Sequence, residues 1–218
     1  MSNINLIQYQ TLIFDCDGVL LNSNRIKTQA FYDVAKVYGH EPAQKLVDYH
    51  VQNGGISRYK KFEYLLAIIL DKPIEKQELK ELLTSFSKEV KKALLNCEVA
   101  KNIKALREKT KKSTWLIVSG GDQSELREVF KQRGLDGYFD GGIFGSPDDK
   151  DTILKNEIDK SNITGKSLFL GDSLYDYQAA IRANMDFIFL SRWSEVSKLK
   201  EDFIGREFLD LSELCKIK

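Results

Sequence analysis

Five short apolar runs punctuate the chain, each bounded by turn residues or charge: TLIF at 11–14, TWLIV at 114–118, GIF at 142–144, SLFL at 167–170 and FIFL at 187–190. Runs this short, with no polar alternation, predict strands covered on both faces, the habit of parallel sheets. Between the later runs the periodicity becomes helical. DQSELREVFKQRG places Leu126, Val129 and Phe130 on one face, and DKDTILKNEIDK and YDYQAAIRANM follow in turn. Strand alternating with helix predicts right-handed crossovers and a doubly wound parallel α/β sheet.

One interval breaks the alternation. Residues 22–97 carry no convincing strand pattern, only helical stretches at 25–38, 59–70 and 75–95, with Gly54-Gly55 and Pro73 as punctuation. This predicts an all-α insertion between the first and second strands, and a division into an α/β core (1–21 and 98–218) and a helical cap (22–97). Ligands of an open α/β sheet bind beyond the carboxyl ends of its strands, where the insertion begins and ends, so it is placed to act as a lid.

The bulk composition narrows the class of partner. A chain of 218 residues with 42% hydrophobic content can build a sizeable core. Lys and Arg number 33 against 32 Asp and Glu, a formal charge of +1, so no basic excess is available to hold nucleic acid or an anionic membrane. No segment approaches the roughly 20 apolar residues of a membrane span, and MSNINLIQYQ has neither a positive lead nor a long apolar run. Cys16, Cys97 and Cys215 are odd in number and lack CxxC pairing, which disfavours a disulfide framework or a zinc site. The expectation is a cytoplasmic protein with a small-molecule partner.

The chemistry gathers at the strand ends. The first strand runs into Asp15 and Asp17, the second into Ser119, Gly120 and Gly121, the third precedes Lys150, and the fourth leads to Asp172 and Asp176. Carboxylates converging at the mouth of a sheet repel one another unless a cation is bound, and magnesium, a hard ion that prefers oxygen, fits them. Ser119, the amides that follow it and the Lys150 ammonium would supply donors to phosphate oxygens. An aspartate can attack phosphorus to form an aspartyl-phosphate, and a second can move protons, which gives Asp15 and Asp17 separate tasks.

Four motifs, DCDGV (15–19), VSGG (118–121), the lysine of SPDDKDTIL and GDSLYD (171–176), together resemble the haloacid dehalogenase-like hydrolases over residues 12–190. The resemblance implies a Rossmann-like core, with Asp15 as nucleophile and Asp17 as general acid/base. Ser119, Gly120 and Lys150 would bind phosphate, while Asp15, the Asp17 backbone carbonyl and Asp172 would hold magnesium. Asp176 and Ser173 would be supporting residues. The insertion looks like the helical cap of the subgroup that includes phosphoglycolate phosphatase-like and β-phosphoglucomutase-like enzymes. The resemblance implies a phosphatase acting on a small phosphorylated metabolite such as a phosphosugar. A phosphomutase, a phosphonatase using a cap lysine (Lys27, Lys60 or Lys61) and a receiver-like signalling module stand as alternatives. Two positions depart from the usual wording: Asn184 stands where glycine often follows the last motif, and SPDDK leaves a choice between Lys150 and Lys155. In the cap, NGGISRYKKFEY offers Asn53, Gly55 and Arg58 to a substrate, and its cations Arg58, Lys60 and Lys61 could reach an anionic or hydroxylated part of it; the alternative for Lys60 and Lys61 is the solvent face of a helix whose Phe62, Leu65, Leu66 and Ile69 pack inward. His40 and His50 are too isolated to read as ligands.

Overall fold

A computed structural model of the chain describes residues 4–196, 203 and 205–216. Six parallel strands form one sheet in the order β3-β2-β1-β4-β5-β6. They are β1 (Thr11–Phe14), β2 (Thr114–Asp122), β3 (Gly142–Ser146), β4 (Ser167–Gly171), β5 (Asp186–Leu190) and β6 (Arg206–Phe208). The strand order reverses at β1, so the carboxyl ends of β1, β2 and β4 lie side by side at the switch point, where such sheets bind ligands. All four residues of β1 and all five of β4 are buried, which explains why their sequences read as unbroken apolar runs. β2 runs four residues past its apolar stretch, and its pairing with β3 slips between Val118 and Asp122, across Ser119-Gly120-Gly121. β6, with the sequence REF and no fully buried residue, is an edge strand that hydrophobic patterning does not predict.

The crossover helices are α5 (Ile103–Lys109), α6 (Gln123–Gln132), α7 (Lys150–Asp159) and α8 (Leu174–Arg182), with α9 (Leu211–Lys216) closing the chain. Three begin on side-chain caps. Asp122 accepts from the Glu125 amide, Asp149 from the Thr152 amide and Ser173 from the Asp176 amide, the last within a reciprocal capping box. Lys150 and Asp176 therefore enter the site from the first turns of capped helices.

Between β1 and β2 the described backbone is helical, as the sequence predicts: α1 (Asn24–Ala35), α2 (His40–Gln52), α3 (Arg58–Tyr64), continuing as a π-turn over Leu65–Ile69, and α4 (Lys76–Asn96). α2 is a helix that the sequence reading lacks. Pro42 lies in its first turn, where proline is tolerated, and only Ala43, Leu46 and His50 are buried along it, so its apolar stripe is thin. Phe31 of α1, Phe62 of α3 and Phe86 of α4 hold these helices together, with ring centroids 4.3–5.6 Å apart. Their cluster is continuous with the side chains under one face of the sheet. No helix among the described residues is long and apolar enough to cross a membrane.

Candidate active site

The two aspartates after β1 part company at once. Asp15 is buried, and its Oδ1 accepts the Cys16 amide at 2.8 Å and lies 3.0 Å from Lys150 Nζ. Its Oδ2 accepts no hydrogen bond among the described residues. Asp17, one pleat further on, turns to the helical segment. Lys27 Nζ donates to its Oδ2 at 2.5 Å and the Ser23 hydroxyl to its Oδ1 at 2.5 Å. Gly18, within the DCDGV motif, has φ +77°, and a Cβ there would stand 2.0 Å from Asp172 Oδ2, so only glycine admits this approach of chain to carboxylate.

β4 delivers Asp172, whose Oδ2 accepts from Asn24 Nδ2 at 2.6 Å, while its carbonyl accepts from the Ser194 hydroxyl. Asp176 spends both oxygens internally: Oδ1 pairs with Lys150, and Oδ2 accepts the Ser173 hydroxyl at 2.6 Å and the Ser173 amide at 3.1 Å. Ser173 and Asp176 thus anchor the lysine. Lys150 is 1% exposed and reaches Asp15 and Asp176, whereas Lys155 lies on the surface beside Asp159. Ser119 is fully buried at the end of β2 and its hydroxyl accepts the Gly121 amide at 3.1 Å.

Burial drives the electrostatics. It pushes the Asp15 carboxyl up to about 7 despite the Lys150 charge, with Asp176 and Asp17 adding repulsion. Asp172 is raised well above the carboxylate range by burial and then by Asp15 and Asp176. In Asp17 burial also raises the pKa, but Lys27 and then Ser23 outweigh it and hold the carboxyl below its ordinary value. Burial depresses Lys150, yet Asp15 and Asp176 prevail and keep it protonated. One oxygen each of Asp15, Asp172 and Asp176 lie within 4.8 Å of one another. Carboxyls this close, with Asp15 and Asp172 destabilised as anions, fit a hard cation, and the all-oxygen donor set suits magnesium. The Asp17 carboxylate stands outside that cluster, so Asp17 would reach an ion only through its backbone carbonyl.

A cavity of about 620 Å³ opens over the cluster, walled by Asp15, Asp17 and Asp172 below and by α1, α2 and α3 above. The 53–57 loop closes one side. Gly55, with φ +84°, sets its carbonyl against Gly120, where a Cβ would meet it at 2.1 Å. Asn53 lines the cavity and its amide caps α2 by donating to the Tyr49 carbonyl.

Two cap expectations need correction. Lys61 does not face solvent: it is 2% exposed, because the inward stripe of α3 runs Arg58, Lys61, Phe62, Leu65. Its Nζ lies 2.6 Å from His50 Nδ1, so the isolated His50 of the sequence is a cavity residue too. Arg58 does line the cavity, but its guanidinium is engaged by Glu125 of α6, at 2.5 and 3.1 Å, and by Ser87 at 2.8 Å. Lys60 pairs with Asp149 on the surface. The sequence reading did not assign Asn24 or Lys27 as partners of the acidic motifs. The available signal was a lysine set on the apolar stripe Ala30, Phe31, Val34, Ala35 of α1, where a solvating role makes no sense.

Comparison with known proteins agrees with this fold. A family model described as a haloacid dehalogenase-like hydrolase matches residues 9–184. A phosphorylated carbohydrates phosphatase from Thermotoga maritima is 26% identical over 194 residues, spanning 83% of this chain and 84% of the relative. Among solved structures, a hydrolase from Pseudomonas syringae superposes with a TM-score of 0.73 at 19% identity, covering 95% of this chain and 99% of its own. A predicted phosphoglycolate phosphatase from Haemophilus somnus gives 0.72 at 19%, covering 98% and 99%. At such identities these two structures establish the shared fold.

Proposed function

This chain belongs to the haloacid dehalogenase-like hydrolases, and on that premise we propose that it is a magnesium-dependent phosphatase that hydrolyses a small phosphomonoester, a phosphorylated carbohydrate or related metabolite, through a phosphoryl group carried on Asp15. The observation that carries this reading is the divergence of the two aspartates: Asp15 faces Lys150 and Asp172, while Asp17 is held away by Lys27 and Ser23. On this reading Asp15 attacks and Asp17 handles protons. The Thermotoga relative's named substrates support the carbohydrate class.

The residues divide the reaction as follows. Asp15 Oδ2 attacks phosphorus, and the bond from phosphorus to the leaving oxygen breaks. Lys150, fixed by Asp176, holds positive charge against the phosphoryl oxygens, and the Ser119 hydroxyl with the Gly120 amide offers donors from β2. Asp15, Asp172 and the Asp17 carbonyl would hold magnesium, which when bound offsets the charge of both carboxylates and phosphate. Asp17 passes a proton to the departing alkoxide, with the adjacent Lys27 ammonium as the proton's source. Back in its ionised form, Asp17 takes a proton from the water that attacks the aspartyl-phosphate, which breaks the Asp15–phosphorus bond, releases phosphate and restores Asp15, and Asp17 returns that proton to Lys27. The helices over the cavity keep bulk water from the first step, consistent with a cap formed by residues 22–97.

The test is phosphate release from a panel of phosphorylated sugars, sugar acids and nucleotides, with and without magnesium, beside Asp15→Asn. Magnesium-dependent release that disappears in the variant is expected. Full release by Asp15→Asn contradicts the assignment of the nucleophile.

A further inference from the structure

Among the described residues, each lysine and arginine around the cavity but one has a carboxylate of its own. Lys27 pairs with Asp17, Arg58 with Glu125 and Lys150 with Asp15 and Asp176. Lys61 has none within ion-pair distance among the described residues. Its neighbours are His50 Nδ1 at 2.6 Å and the face of Phe31, 5.4 Å from the ring centroid. An ammonium buried with no counter-charge is an expensive arrangement, and a structural role alone would favour an apolar side chain in its place.

His50 supplies an independent sign. Lys61 donates to its Nδ1, so the neutral ring carries its hydrogen on Nε2. That Nε2 is the one buried side-chain nitrogen or oxygen among the described residues without a hydrogen-bond partner, and Glu195 Oε2 stays 4.0 Å from it. The Lys61 ammonium, which lacks a carboxylate partner, and the His50 Nε2–H, which lacks an acceptor, thus line one cavity wall from neighbouring helices. Phe31 and Phe86 supply apolar lining beside them.

We propose that Lys61, positioned by His50, is the specificity-determining residue of this enzyme and receives an oxyanion carried by the leaving group of the substrate. This rests on the phosphatase reading above and sharpens it: the preferred phosphomonoester bears a second acidic group, a carboxylate or another phosphate, in place of a neutral polyol. The Lys61 ammonium neutralises that group and the His50 Nε2–H donates to it, so that binding supplies the acceptor that the protein lacks. Arg58 cannot take this role while Glu125 and Ser87 occupy its guanidinium.

The test uses non-hydrolysable ligands on the full chain with magnesium: alkylphosphonates, ω-carboxyalkylphosphonates and α,ω-bisphosphonates of matched length, titrated calorimetrically. The wild type is expected to bind an acid-bearing series roughly 10–100-fold more tightly than the plain alkyl series, the size of a charge-assisted hydrogen bond. The tighter of the two acidic series identifies the group. Lys61→Met should erase the preference, and His50→Phe should reduce it while His50→Gln, which keeps an acceptor and a donor, retains most of it. Equal affinities for all three series in the wild type, or an undiminished preference in Lys61→Met, overturn the proposal. Acid preference without hydrolysis of any phosphomonoester strikes only the phosphatase reading. Hydrolysis without acid preference strikes only this inference, and no binding of any phosphonate strikes both.

Discussion

At the scale of single residues, Lys61 sets function against stability. Burial, and then the nearby Lys27 charge, lowers its pKa from 10.5 to about 7. The charged groups facing it are Lys27 from α1, Asp17 from the loop after β1, Lys150 from α7 and Glu195 from the segment after β5, with His50 of α2 in contact. A lysine whose folded pKa is depressed binds fewer protons folded than unfolded between the two values, so its destabilising effect is complete below about pH 7 and fades as pH rises towards 10.5. Lys61→Met is therefore expected to be more stable than the wild type by roughly 2–4 kcal/mol at pH 7, with the gain shrinking by pH 10. Denaturant titrations at the two pH values measure it, and a variant less stable at pH 7 would show that the ammonium has a compensating partner. Asn184 illustrates a departure resolved at the same scale. It occupies the position after α8 where glycine is usual, with φ +55°, and asparagine tolerates the left-handed region better than other side chains. The substitution keeps the turn.

At the scale of elements, what was legible depended on how much of the signal lay within one element. The strands β1 to β5 read directly from the chain because both their faces are covered, while β6, short and charged, gave no pattern. The carboxylates of the site were legible because strand ends deliver them in fixed motifs. The Lys27–Asp17, Asn24–Asp172 and Lys61–His50 contacts were not, since each joins segments that meet only after α1, α2 and α3 pack. Their packing rests on Phe31, Phe62 and Phe86, all buried. Phe62→Ala is expected to cost about 3–5 kcal/mol, the range for a large-to-small change in a packed core, and to weaken substrate binding because α3 carries Lys61. Chemical denaturation checks the first effect and KM the second; an unchanged midpoint would mean that the helices hold together without this cluster.

At the scale of the whole molecule, the helical segment is fastened to the sheet by polar contacts around the cavity. Arg58–Glu125 is buried, Tyr59 donates to Asp122 at 2.8 Å, and Lys91–Glu128 and Lys60–Asp149 lie at the surface. Exposed pairs contribute little, but removing one partner of a buried pair leaves an uncompensated charge, worth about 3–5 kcal/mol. Glu125→Gln should therefore lower stability by that order and raise KM more than it lowers kcat, since Glu125 holds the cavity wall and is given no part in moving protons. Loss of kcat alone would argue that the pair serves the chemistry instead. With the cavity closed in this way, the account stands on the division of labour between Asp15 and Asp17. The most direct measurement mixes Asp17→Asn with the best substrate of the phosphomonoester panel and magnesium, quenches rapidly in acid and maps the modified peptide by mass spectrometry. A phosphoryl group that accumulates on Asp15 and decays far more slowly than in the wild type is the predicted result. An Asp17→Asn protein that turns over normally, or one that is inactive and never phosphorylated on Asp15 while Asp15→Asn retains activity, contradicts it.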